Sequence, residues 1–128
     1  MNENPERWLY FAREDLAAAQ SVLASGIWNQ VCFHSQQCVE KALKSVLSQG
    51  CQPLPKTHSI AELLARLPQI LAAALPATTT DLDAYYVPTR YPDALPGMLP
   101  TGLPAESDAR EAFNIAQQVL KTIEHHTP

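Results

Sequence analysis

The sequence predicts an all-α fold, an up-and-down helical bundle of four to five helices with a long proline-rich loop before the C-terminal helix. Three observations lead there. Apolar residues recur at helical spacing over residues 5–25, 27–49 and 104–125. Residues that start or stop helices flank these stretches. The run from Val87 to Pro104 holds five prolines and two glycines and alternates like neither helix nor strand. With 128 residues, 46% of them hydrophobic, the chain has the length of one domain, 1–128, able to bury roughly two-thirds of its unfolded surface.

The first helix starts at Asn4, a capping side chain followed by Pro5 at the first helical position and Glu6 in the first turn. It runs to about Ser25, and Gly26 ends it. At about 100° per residue, Trp8, Leu9, Phe11, Ala12, Leu16, Ala19, Val22 and Leu23 gather into one apolar arc, with Asp15 inside it. The second helix spans about Ile27 to Gln49 and stops at Gly50, and so short a connection implies an antiparallel hairpin. One side carries Trp28, Val31, Cys38, Val39, Ala42, Leu43 and Val46. Gln30, His34, Gln37, Lys41 and Lys44 form a polar stripe about 80° wide beside it.

After a connector with Pro53 and Pro55, Ser59 and Glu62 make a capping box for a short third helix ending near Pro68. QILAAAL and TTDLDAYY suggest further short turns over residues 69–86. The last helix, about Pro104 to His125, turns Ala109, Ala112, Phe113, Ala116, Val119, Leu120 and Ile123 to the core. His125 and His126 fall at its negative end, where they suit the helix dipole.

Composition narrows the function. Charged residues make up 17% of the chain, against roughly 25% in ordinary soluble domains, which leaves apolar surface for association. A formal charge of −4 argues against a broad surface for duplex nucleic acid, though not against a local anion site. The start, MNENPERW, lacks a basic, then apolar leader, and no run reaches the roughly 18 apolar residues of a membrane span, so a cytoplasmic protein is expected. Cys32, Cys38 and Cys51 lack paired spacing and read as free thiols. His34 and Cys38, one turn apart, could ligate a metal, but Cys38 points to the apolar side and no second pair exists, so no metal and no cofactor are expected.

In a hairpin turning near residues 25–27, facing positions sum to roughly 52, which brings Asp15 near Gln37 and within a turn of His34 and Lys41. An Asp15–Lys41 ion pair that fixes hairpin register is one reading. The other adds Arg90 and Tyr91 from the proline-rich segment: an arginine, a lysine and a histidine could hold a phosphate while a tyrosine ring stacks on a base. Tyr85, Tyr86 and Tyr91 could instead simply pack the loop on the bundle. His58 fits a connector hydrogen bond as well as a ligand contact.

Four stretches in register carry a family resemblance. The first helix reads W-L-x-x-A-x-x-D-L-x-A-A from Trp8 to Ala19, and the second reads CFHSQQCVEKALK from Cys32 to Lys44. KTHSI follows at Lys56–Ile60 and YYVPTRYPD at Tyr85–Asp93. In this order the chain resembles the HEPN domain family, the higher eukaryote and prokaryote nucleotide-binding domains, over nearly its whole length. The resemblance implies a helical bundle, often a homodimer, paired with a minimal nucleotidyltransferase encoded nearby in a toxin–antitoxin-like system. It places nucleotide, phosphate or partner contact on His34, Gln37, Lys41, Thr89, Arg90 and Tyr91. Many members of the family cleave RNA through an Arg-x(4-6)-His motif, but no arginine here has a histidine at that spacing. A catalytic role therefore has no residues to carry it over. An RNA-cleaving toxin with another constellation and a helical oligomerisation domain without a small ligand remain the alternatives.

Overall fold

The computed structural model describes residues 4–50, 53–86 and 102–126. Five α-helices and one 3₁₀ helix make up its regular elements: α1 (Pro5–Ala24), α2 (Trp28–Leu47), α3 (Ile60–Ala65), α4 (Gln69–Ala74), the 3₁₀ helix (Thr79–Tyr85) and α5 (Glu106–His126). The all-α bundle expected from periodicity is the fold observed.

Local chemistry sets the helix ends. Asn4 is extended, and its Oδ1 accepts from the Glu6 amide at 2.9 Å, satisfying one of the donors that a helix start leaves orphaned. At the other end of α1, Gly26 takes φ +75°, a conformation that a side chain would strain. Its amide donates to the Leu23 carbonyl at 3.1 Å, and the Ile27 amide donates to Val22 at 3.1 Å. That paired arrangement closes the helix and turns the chain straight into α2.

The middle of the bundle is α2. It packs against α1, α5, α3 and the 3₁₀ helix, and Val31, Val39, Ala42 and Leu43 have no exposed surface. Because neighbours cover it on most sides, its buried set also includes Ser35, Gln36, Glu40, Lys44 and Ser45. Here the structure corrects the expected polar stripe. Lys44 is buried, with Glu40 one turn back and the Trp8 ring of α1 against it, contacts that the pattern of α2 alone does not reveal.

On α1 only Leu9, Ala12 and Ala19 are buried. Phe11, placed in the apolar arc by periodicity, is 42% exposed and makes an edge-to-face pair with the exposed Tyr10. It lies about 100° around the helix from Ala12, at the margin of the contact with α2. The third helix also ends earlier than expected. It stops at Ala65 with Arg66 as its C-cap, and Pro68 serves as the residue before α4. Leu82 and Tyr85 of the 3₁₀ helix and Leu71 and Leu75 at α4 enter the core beside α5, which buries Ala109 through Ile123 at helical spacing. Residues 87–101, most of the proline-rich loop, lie outside the described residues.

Candidate functional site

Two polar clusters flank α2. The first joins α1 to α2 through a single carboxylate. Lys41 Nζ donates to Asp15 Oδ2 at 2.6 Å, and His34 Nδ1 lies 3.1 Å from Asp15 Oδ1. A carboxylate only accepts, so Nδ1 carries the hydrogen and His34 donates. Asp15 is 13% exposed in its side chain, while Lys41 and His34 are 27% and 28% exposed. Burial alone would raise the Asp15 carboxyl, but the hydrogen bonds from His34 and Lys41, with the charges of both, hold it below the usual 3.8.

The spacing on α1 and α2 explains why these groups meet. His34 and Lys41 are seven residues apart, two turns of the same face, and the hairpin sets Asp15 between them. Gln37, midway, does not touch Asp15 through a hydrogen bond. Its Nε2 donates to Gln36 Oε1 at 2.7 Å, toward the second cluster. Thr89, Arg90 and Tyr91, and with them the recess expected from Arg90 beside Lys41 and His34, lie outside the described residues.

The second cluster is one that the sequence pattern leaves largely hidden. Glu40, with 4% side-chain exposure, receives Lys44 Nζ on Oε2 at 2.8 Å and His58 Nδ1 on the same oxygen at 2.9 Å. Gln36 Nε2 reaches Glu40 Oε1 at 3.3 Å and the His58 carbonyl at 3.4 Å. Lys44 also lies over the Trp8 ring, 5.4 Å from its centroid. The His58 ring stacks on Tyr86 at 4.7 Å, the planes 16° apart. The signal available in the sequence is the Gln36–Glu40–Lys44 spacing at i, i+4, i+8, a single helical row. It points to mutual contact and does not say that the row is buried.

Around the His58 end, Ser59 and Asp83 cap α3. Ser59 Oγ accepts from the Glu62 amide at 3.2 Å, and Asp83 accepts from the Ile60 amide at 2.6 Å and the Ala61 amide at 3.0 Å. The Ser59 amide donates to the Thr57 hydroxyl at 3.1 Å, in the place that a capping box would give to Glu62. Lys56, Thr57, His58, Ser59, Glu62, Asp83 and Tyr86 border an open cleft of about 620 Å³.

The thiols are poor ligands or nucleophiles. Burial pushes the Cys32 thiol up to about 11 and the Cys38 thiol up to about 12. Cys38 is fully buried, turned from the surface that His34 occupies. Among the described residues no three metal-ligating side chains converge. Cys51 lies outside them.

Comparison with known proteins places the chain as a whole. The family model described as the HEPN domain matches residues 5–126. A Methanocaldococcus jannaschii protein named "Putative toxin MJ1304" is 29% identical over 124 residues, covering 88% of this chain and 80% of its own length. Two crystal structures superpose on the whole fold. ST0689, described as an archaeal HEPN homologue, has a TM-score of 0.72 and 34% identity, covering 97% of this chain and 98% of its own. TT1696 from Thermus thermophilus has a TM-score of 0.72 and 36% identity, covering 99% of this chain and 100% of its own.

Proposed function

Because this chain belongs to the HEPN domain family, we propose that it is a binding module which pairs with a minimal nucleotidyltransferase in a toxin–antitoxin-like system and holds the phosphate of a nucleotide at His34 and Lys41. The observation that carries this reading is the ratio of groups in the first cluster. Two basic side chains, each more than a quarter exposed, share one carboxylate that is mostly buried. Asp15 orders them and keeps its own charge turned inward, so an anion meets a preorganised Lys41 ammonium, joined by His34 Nε2–H when that ring carries both hydrogens, without first dragging long side chains into place.

The toxin name borne by the Methanocaldococcus jannaschii relative fits a paired system. The missing Arg-x(4-6)-His spacing favours binding over RNA cleavage by that route. The same reading takes the chain as one cytoplasmic domain that forms a homodimer, its low charge content suiting association. It also counts Gln37, Thr89, Arg90 and Tyr91 as further contacts for the ligand or partner.

Isolation of the tagged chain from its native host, followed by identification of what accompanies it, tests the pairing: a nucleotidyltransferase in stoichiometric amount supports it, and the chain alone rejects it. Calorimetry with ATP tests the ligand. Heat that Lys41→Ala abolishes is expected; no heat from the wild type leaves a helical assembly role without a small ligand. Degradation of RNA by the pure protein, lost in Arg90→Ala with helicity intact, would replace the binding module by an enzyme.

A further inference from the structure

His58 is 55% exposed in its side chain, yet its ring is fixed on two sides and its backbone is tied down as well. Nδ1 meets Glu40, one face stacks on Tyr86, and the residue's own carbonyl accepts from Gln36. A solvent-exposed imidazole gains little stability from such attention, whereas burying the Glu40 carboxylate carries a desolvation cost that only its partners offset. The arrangement is the one that orients a working imidazole. A buried carboxylate takes the Nδ1 hydrogen, fixes the tautomer, and leaves the Nε2 lone pair outward. With Nδ1 turned inward to Glu40, the opposite ring edge borders the cleft of Lys56, Thr57, Ser59, Glu62, Asp83 and Tyr86.

We infer that His58 Nε2 is a phosphoryl-acceptor site, charged by small acyl phosphates that enter this cleft. The lining of the cleft includes side chains that can donate to a phosphoryl group. Lys56 supplies an ammonium. Thr57 Oγ1 accepts from the Ser59 amide and keeps its own hydrogen to donate to a phosphoryl oxygen. Of the two carboxylates on the rim, Asp83 has its oxygens held by the Ile60 and Ala61 amides, with Ser59 Oγ at 3.5 Å, and both it and Glu62 oppose an incoming anion that Lys56 must offset.

The step balances without a redox partner. The Nε2 lone pair attacks phosphorus, an N–P bond forms, and the bond between phosphorus and the bridging oxygen breaks. The acyl group departs as a carboxylate with the electron pair of that bond. The ring keeps the Nδ1 hydrogen and becomes cationic, and the Glu40 carboxylate beside it stabilises that charge. The product is a phosphohistidine at the mouth of the cleft, a new dianion on the surface next to Tyr86. The inference uses the second cluster alone and stands apart from nucleotide binding at His34 and Lys41.

A structural role, in which His58 only ties the connector to α2, makes a different prediction. The full-length protein is incubated with acetyl phosphate and the product mapped by intact mass, peptide sequencing and phosphorus NMR. Incorporation of one acid-labile, alkali-stable phosphoryl group at His58 Nε2 is expected, clearly faster than at His125 or His126. His58→Asn keeps a donor toward Glu40 and should abolish labelling with helicity unchanged. Lys56→Ala, a change on an exposed side chain, should slow it several-fold, and His125→Asn should leave it as in the wild type. No incorporation into the folded wild type overturns the inference, as does labelling of all exposed histidines at one rate or labelling that persists in His58→Asn.

Discussion

Asp15 and Glu40 are both carboxylates that meet cations on α2, and their surroundings give them different consequences on removal. Asp15 sits at the edge of the bundle, with a carboxyl held below 3.8 by His34 and Lys41. A depressed folded pKa means that the unfolded chain binds the proton first as pH falls. The stabilisation is whole above about pH 4 and disappears as pH drops through the lower, folded value. Asp15→Asn should therefore cost about 1–3 kcal/mol at neutral pH, measured by urea denaturation, with the deficit shrinking as pH falls below the usual carboxylate range. A deficit that stays constant through that fall would mean that the pair contributes nothing through its charge. Glu40 is in the interior with Lys44, whose side chain is 9% exposed. Glu40→Ala strands that ammonium and should cost about 3–5 kcal/mol, while the double variant Glu40→Ala/Lys44→Met, which removes both charges and keeps an unbranched chain over the Trp8 ring, should recover most of the loss. Equal instability of the single and double variants would show that the loss comes from packing. Asp15 is legible in the sequence because a carboxylate stands inside an apolar arc, where it needs a partner, and hairpin geometry supplies one. The burial of Glu40 is not, because the elements that cover it arrive more than a dozen residues later in the chain.

Short elements depend on residues far from them, which limits what local pattern reveals. The long helices α1, α2 and α5 announce themselves by periodicity over about twenty residues each, since an amphipathic face of that length has no other efficient way to be buried. A six-residue helix such as α3 is below the length at which helices hold in water and must be completed by its neighbours. Ser59 is visible as its cap, but the stronger contribution comes from Asp83, whose two oxygens accept from Ile60 and Ala61 from a 3₁₀ helix twenty-odd residues on. No spacing rule links Asp83 to Ile60. Asp83 thus pins two short elements to each other on the rim of the His58 cleft. Asp83→Ala should lower global stability by about 1–2 kcal/mol, the upper part of the range for a lost helix cap. Amide exchange over Ile60–Ala65 should rise well beyond that, with α1 amides little changed. Uniformly faster exchange across all the helices would instead place Asp83 in the global core. Asn4, which caps only its own helix, offers the comparison: its loss should fray the first turn of α1 and leave α3 as it was.

At the scale of the molecule, α2 packs against α1, α5, α3 and the 3₁₀ helix, and both polar clusters are mounted on it. The bundle therefore couples stability to site geometry through one helix. Leu43 is fully buried on α2, the helix that packs against α1, α5, α3 and the 3₁₀ helix, while Ile70 on α4, an apolar side chain of similar size, is 87% exposed. The sequence marks both as apolar and cannot rank them, because rank comes from how the elements converge. Leu43→Ala removes methyl groups from a site that neighbours on several sides hold open, so relaxation is limited and the loss should reach about 2–5 kcal/mol. Against a total stability on the order of 5–15 kcal/mol, that is enough to shift the midpoint of urea unfolding strongly while leaving a folded population at low denaturant. Ile70→Ala should change stability by no more than about 0.5 kcal/mol. The two variants also differ in what the clusters feel. In the folded fraction of Leu43→Ala, slackened packing along α2 should loosen the His34 and His58 rings and the Lys41 ammonium together, seen as joint broadening of their NMR signals, whereas Ile70→Ala should leave all three sharp. Broadening at His58 alone would show that the connector, and not α2, governs that end of the molecule.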